Sequence, residues 1–340
     1  MVNNLRAPIL KGFAAANRVH QKYNLSKKDM VGSIYLDVFD IIQKEGLILC
    51  FGPLEKLYGA YIPSDIGREG ILINSQHPIH LQRFTAAHEL GHHVLGHKPS
   101  VDINILGRAP LPSDKYEENE SDPEQEKEAD SFASAFLLPK WLIAKHLVEI
   151  GENKNYFKSD INIYQMSLRL GVSYTSFCWC LLGHNILTLQ EAQFFAKIPP
   201  KNIKRTIVSE KIRALYPHAN VWIVNEKSSD IKMLGDKNDL FVFELEENPS
   251  TGYIWDYSHF GEHGLRLLSD DMIEPEGEIV GSNIERRVVF TNEDFLIDSL
   301  PLCEKRPWND DTAHSLFLHL SLGGRGKGFY NKVDIANAAR

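Results

Sequence analysis

The sequence predicts an α+β fold followed by an all-β sandwich in one chain of 340 residues. Three observations carry that expectation. His88-Glu89-Leu90-Gly91-His92 sits in a helical apolar pattern. A second helical pattern runs through Ala129, Phe132, Ala133, Phe136 and Leu137. From Val221 onward, period-two alternation dominates, with turn signals at regular intervals. At ~150 residues per typical domain, the length accommodates two domains and a short module between them.

Taken in order, Ser33 to Lys44 places Ile34, Val38, Ile41 and Ile42 at helical spacing and stops at Gly46. Short β-rich runs at Leu47 to Phe51, Leu57 to Ile62 and Gly70 to Asn74 predict a small sheet. A helix over Pro78 to His97 is expected to end at Lys98-Pro99, because a residue preceding proline is pushed out of the helical region. Nine acidic residues and two lysines between Ser113 and Asp130 begin as a solvated loop and merge into the second helix. That helix stops near Pro139, where another begins. Ile161 to Leu187 reads as two short helices around Gly171-Val172-Ser173, and Pro199-Pro200 with the basic stretch after it reads as a linker. Phe241, Phe243 and Leu245 then share one strand face, and Leu316, Leu318, Leu320 and Leu322 another. The expected organisation is an α+β domain over 1–150, a helical segment over 151–200, a linker over 201–220, a β-sandwich over 221–331 and a tail over 332–340.

Hydrophobic residues make up 43% and charged residues 24%, so the chain can bury substantial cores. Lys plus Arg total 37 against 45 Asp plus Glu, a net charge of −8, which excludes a general affinity for polyanions. Met1 to Asn24 lacks the continuous apolar core of a signal peptide, and no stretch approaches the ~18 apolar residues of a spanning helix. The cysteines Cys50, Cys178, Cys180 and Cys303 are scattered, with one C-x-C and no second pair to complete a zinc ribbon. Reduced thiols, a cytoplasmic location and no membrane partner are expected.

The most specific chemistry lies in His88 and His92. Four-residue spacing puts both imidazoles on one helix face, where two neutral ring nitrogens can hold one Zn²⁺. Glu89 flanks the open coordination position and is placed to take a proton from a water there. On the second helix Glu126 and Asp130 share a face at i, i+4. Glu126 would complete a two-His, one-Glu set, and Asp130 would accept the N–H of a liganding imidazole. Ala129 and Ala133 are small enough for the two helices to pack closely. Glu124 and Glu128 compete as third ligands, but Glu128 lies about 200° around the helix from Glu126. His93 and His97 do not meet the three-histidine spacing, since Leu95 stands where glycine is needed and His97 falls one residue early. They are read as surface residues or as residues behind a ligand.

At these residues the chain resembles the ImmA/IrrE family of zinc metallopeptidases, whose HExxH is followed by an E-x-x-A-[ND]-x-F-A-x-x-[LF]-L-x-P helix. Here that helix reads from Glu126 through Ala129, Asp130, Phe132, Ala133, Phe136 and Leu137 to Pro139. The resemblance spans roughly residues 30 to 190. It implies a gluzincin-like α+β peptidase, zinc as cofactor, an edge strand that pairs with an extended substrate, and a transcriptional repressor as that substrate. The acidic insertion from about Val101 to Gln125 looks longer than usual for the family.

Gln165 to Phe177 has the shape of a helix-turn-helix, yet Ser173 to Leu182 contains no Lys or Arg and is largely apolar, so direct DNA binding is not expected. In the β region, Asn248-Pro249-Ser250-Thr251-Gly252-Tyr253-Ile254-Trp255 is a turn between alternating strands, and Arg306-Pro307-Trp308 lies in a later one. In this order the motifs resemble those of chagasin-like inhibitors of papain-type cysteine peptidases, which present NPxTGYxW, a glycine-rich loop and RPW at one end of an immunoglobulin-like sandwich. The resemblance covers about Val221 to Asn331. The middle loop appears as Gly281-Ser282-Asn283-Ile284 and lacks the paired glycines. Trp255 is read as core and Trp308 as a contact or a partly buried anchor. Three roles stay open for this part: inhibiting a cysteine peptidase, recruiting the substrate, or plugging the chain's own zinc cleft. The function expected of the whole is zinc-dependent cleavage of a regulatory protein. The alternative is a chagasin-like inhibitor on a peptidase-like scaffold.

Overall fold

The computed structural model describes residues 6–27, 35–55, 57–64, 68–97, 122–228, 232–247, 249–273, 284–294, 296–309, 311–322 and 328–329. Ile34, most of the acidic insertion, Asn248, Gly281 to Asn283 and the 332–340 tail lie outside these residues.

The N-terminal part opens with α1 (Arg6–Lys22) and α2 (Val38–Lys44), then β1 (Ile48–Gly52), β2 (Gly59–Ile62), β3 (Gly70–Asn74) and α3 (Ile79–Leu95). Asp37 caps α2 by accepting from the amides of Phe39 and Asp40, and Gly46 ends the following turn at a φ of 84°. Strands β1 and β3 pair in parallel, and β2 pairs antiparallel to β3 as the outermost strand of the sheet. Next come α4 (Pro123–Leu137) and α5 (Lys140–Glu149). Asp122 caps α4, whose Pro123 occupies a first-turn position where its missing N–H costs nothing.

Helix α1 had no counterpart in the sequence reading. It packs Ala15, Ala16 and Val19 against α4, and it approaches so closely that a Cβ on Gly12 would lie 2.3 Å from the Glu128 carbonyl oxygen. Helix α3 ends earlier than Lys98-Pro99. Gly96 takes a left-handed φ of 66°, its N–H bonds to the His93 carbonyl, and the His97 N–H bonds to the His92 carbonyl. These two bonds define a Schellman stop, which turns the chain back along the helix.

The helical segment comprises α6 (Asp160–Leu170), α7 (Tyr174–Gly183), α8 (Leu189–Ala196), α9 (Pro200–Ile207) and α10 (Glu210–Leu215). Residues 201–220, read above as a linker, thus hold most of α9 and all of α10, and they bury Ile203, Ile207, Val208 and Ile212. Gly171 makes the α6–α7 turn at a φ of 66°. Tyr174, Phe177, Cys178 and Leu181 of α7 are buried in the main core, which accounts for that helix's apolar sequence.

The β region holds β4 (Val221–Val224), β5 (Lys232–Gly235), β6 (Leu240–Glu247), β7 (Ile254–Asp256), β8 (Leu265–Ile273), β9 (Ile284–Asn292), β10 (Leu296–Lys305) and β11 (Thr312–Leu322). They form two four-stranded sheets, ordered β5-β11-β10-β7 and β4-β6-β9-β8. Phe241, Phe243, Leu245, Leu316, Leu318, Leu320 and Leu322 fill the space between them, with Trp222 and Trp255. On the other face of β6, Leu240 and Val242 join the core of the helical part, so this strand is buried on both sides. The last strand, β12 (Gly328–Phe329), pairs with β1 of the N-terminal sheet rather than with the sandwich.

Side chains of α6 close the edge of β4. Gln165 donates to the Val221 carbonyl at 2.8 Å and accepts from the Ile223 amide at 2.8 Å, copying the bonds of a neighbouring strand. The Tyr164 hydroxyl accepts from the Val221 amide, and Arg169 donates to the Ile223 carbonyl. Arg83 of α3 is fully buried and donates to the carbonyls of Gly171 and Leu36. At the start of α3, where Pro78 offers no side-chain cap, Asp236 from the β5–β6 turn accepts the Ile79 N–H at 3.1 Å.

Candidate metal centre

Helices α3 and α4 bring His88, His92 and Glu126 together, with one ligand atom from each within 4.8 Å of the others. All three are buried. His88 Nε2 lies 3.1 Å from Glu126 Oε2 and 3.0 Å from His92 Nε2, and His92 Nε2 lies 3.7 Å from Glu126 Oε1. A tetrahedral zinc with ligands at ~2.0–2.2 Å spaces its donors by about 3.3 Å, so the set has the right size. Two inward-facing imidazole nitrogens and a carboxylate, withdrawn from water, are a donor set that a divalent cation satisfies. Close helix approach makes the convergence possible: a Cβ on Gly91 would meet the Ala129 Cα at 3.2 Å and Phe132 Cδ1 at 3.1 Å.

Behind the ligands, His88 Nδ1 contacts Asp130 Oδ1 at 2.9 Å. His92 Nδ1 faces His97 Nδ1 at 3.0 Å, and His97 Nε2 faces Glu128 Oε2 at 2.8 Å. Lys11 of α1 reaches the same Glu128 oxygen at 2.6 Å. Sequence reasoning placed Asp130 behind a ligand and left Glu128 without a place, because nothing in the spacing announces that Gly96 folds His97 back beside His92. Glu89, one position beyond His88, is buried. His93 instead turns toward the sheet, where its Nδ1 lies 2.8 Å from Glu69, which also accepts from the Tyr61 hydroxyl of β2.

The electrostatics follow from burial and pairing. Burial opposes the charged form of Glu126, but bonding with His88 and His92 outweighs it and holds the carboxyl far below the usual range. Burial likewise works against protonation of His88, yet its bonds to Asp130 and Glu126 prevail and raise it well above 6.5. His92 is lowered, chiefly by burial.

At one end of the sandwich the structure gathers the other motif residues. Pro249, Ser250 and Thr251 form a single 3₁₀ turn, followed by Gly252 at a φ of 77°. Trp308 packs so tightly over this glycine that a Cβ there would lie 2.5 Å from its ring. The Arg306 guanidinium stacks 4.3 Å from the Tyr253 ring centre and donates to the Thr251 carbonyl at 3.2 Å. Pro307 is exposed and Trp308 is 73% exposed, whereas Trp255 is buried and donates to the Glu246 carbonyl.

With this geometry in place, two family matches divide the chain. Residues 42–178 match the family described as IrrE N-terminal-like domain, which marks this part as metallopeptidase-like. Residues 236–320 match the family described as chagasin family peptidase inhibitor I42, a protein-binding class. The chain thus joins a region that matches the IrrE N-terminal-like family to a region that matches the chagasin family. No curated protein matches it. Among solved structures, the chain is similar to the cysteine protease inhibitor EhICP2 from Entamoeba histolytica, at 24% identity over 31% of this chain and 98% of that one, with a TM-score of 0.26. Amebosin matches at 18% identity over 30% of this chain and 97% of its own, with a TM-score of 0.24. PbICP-C, solved in complex with falcipain-2, matches at 13% identity over 31% and 90%, with a TM-score of 0.18.

Proposed function

We propose that the chain is a zinc-dependent endopeptidase that cleaves a regulatory protein, a transcriptional repressor, in the cytoplasm. The observation that carries this reading is the buried convergence of His88, His92 and Glu126, with Asp130 behind one ligand and Glu89 beside it. The chemistry a bound zinc supplies is Lewis acidity toward a peptide carbonyl and a water. Glu89 takes the proton of the attacking water and delivers it to the departing amine. Asp130 holds His88 in the tautomer whose Nε2 carries the lone pair. Strand β2, outermost in its sheet and packed beside α3, aligns an extended substrate through its backbone groups. The four cysteines are free thiols, which suits a reducing compartment. Among the described residues no helix is long and apolar enough to cross a membrane.

Elemental mass spectrometry on the purified chain tests the site. One zinc per chain is expected, lost or weakened in His92→Ala and Glu126→Ala. With a repressor substrate in hand, Glu89→Gln should keep zinc and lose cleavage by several orders of magnitude; retained cleavage would overturn the mechanism.

The exposed Trp308, fixed on Gly252 beside the Arg306–Tyr253 stack, favours a second reading, in which the sandwich end seats in the cleft of a papain-type cysteine peptidase. Titration of papain with the whole chain should then give stoichiometric inhibition that weakens at least tenfold in Trp308→Ala. No inhibition at micromolar concentration would remove this reading and leave substrate recruitment to these loops.

A further inference from the structure

We propose that His97, held by Glu128, is the positioning residue that fixes the tautomer and ring plane of His92. The inference rests on the metal reading of His88, His92 and Glu126, and it deepens that reading. Its argument runs along one line of atoms. If His92 Nε2 presents its lone pair to a cation, Nδ1 must carry the hydrogen. The atom facing that hydrogen, 3.0 Å away, is His97 Nδ1, which must therefore be an acceptor. His97 then carries its own hydrogen on Nε2, where Glu128 accepts it at 2.8 Å. Each link dictates the next, so a carboxylate two bonds removed sets which nitrogen of His92 faces inward.

The side chains of His97 and Glu128 are each 4% exposed, so water does not compete for either bond. The Schellman turn at Gly96 is what brings His97 back beside His92, one helical turn before it in sequence. The two zinc-facing imidazoles are thus supported differently: His88 directly by Asp130, His92 through a second imidazole.

The experiment is zinc affinity, measured on the whole chain by competition with a chromophoric chelator, alongside thermal melts of the metal-free protein. His97→Phe keeps a ring but removes the acceptor, and is expected to raise the zinc Kd by about ten- to a hundredfold. In His97→Asn, Oδ1 occupies the place of Nδ1 and still accepts from His92, so most of the affinity should return. A role limited to fastening Glu128 to the end of α3 would be lost in both variants alike. Glu128→Gln preserves shape, is expected to weaken zinc about threefold or more, and reads the relay even if His97→Phe does not fold. The exposed Glu124→Gln serves as a charge control and should leave the Kd unchanged. If wild type takes up one zinc and none of the His97 or Glu128 variants differs from it, the relay is wrong. If wild type takes up none, the metal reading falls, and the relay with it.

Discussion

Glu126 and His88 titrate against each other, and that contest governs how the centre loads. Against the opposing effect of burial, bonds to Asp130 and Glu126 raise the pKa of His88 well above 6.5, so a zinc ion binding there would have to expel that proton. Below the raised pKa, affinity should therefore fall about tenfold for each unit of acidification. Calorimetric titration in buffers of different ionisation enthalpy checks this: zinc binding should release protons, and more of them as the pH falls below the raised value. The same shift carries a stability sign. A raised histidine stabilises the metal-free fold most fully below pH 6.5, and that contribution disappears as pH rises through the folded pKa. At this scale the sequence was legible where chemistry depends on helical spacing alone. His88, His92, Glu126 and Asp130 each follow from an i, i+4 relation within a helix, and they come together as expected of that spacing. His97 follows from a backbone reversal, whose outcome depends on the left-handed conformation of Gly96 and not on any period.

Helices α3 and α4 meet across glycine and alanine, so the donor atoms depend on a contact with no slack. Gly91→Ala should press its methyl against the Ala129 backbone, cost about 1–3 kcal/mol in urea unfolding and weaken zinc binding in the same protein. An unchanged unfolding midpoint and Kd would mean that the helices yield more easily than this packing implies. The elements with sustained periodicity, α3, α4, β6 and β11, were visible in the sequence. Helix α1 was not, because Pro8 and Gly12 look unpromising for a helix in isolation, and Gly12 makes sense only against α4. The stretch after Pro199 was mistaken for a linker because proline usually breaks helices. Here Pro200 is the first residue of α9, the one place where its fixed φ begins a helix instead. Two-residue β12 carries no pattern at all.

Across the whole molecule, the helical segment joins the two matched regions through a shared core. Gln165, Tyr164 and Arg169 close the β4 edge, and one core runs from α1 through α7 to Leu240 and Val289. At this joint Asp239 is buried beneath the Asn220 and Asp236 amides and the Trp222 indole, and burial lifts its pKa to about 6. An aspartate raised in this way favours the fold most below its unfolded pKa near 3.8, and the benefit is lost as pH rises through about 6. Between pH 7 and pH 5 this single group should add about 1 kcal/mol to stability. Comparing urea midpoints of wild type and Asp239→Asn over that window isolates it: the variant should be less stable at both ends and lack this increment. A parallel response of the two proteins would assign the titration elsewhere. The sequence alone did not disclose this joint, since Gln165 and Asp236 are unremarkable residues until a third element meets them.

The cap that Asp236 places on α3 also fixes an order in time. The carboxylate lies 157 residues after the amide it caps. At roughly 5–20 residues per second of synthesis, about 8 to 30 seconds separate the two on the ribosome. For most of that interval, once residue 126 has been added, the nascent chain contains both histidines and Glu126, while the first turn of the helix that carries the histidines still has an open end. Completion of the first turn of α3 therefore waits for the first strands of the sandwich, and a messenger truncated between the two matched regions would encode His88, His92 and Glu126 without the contact that caps the helix of the two histidines.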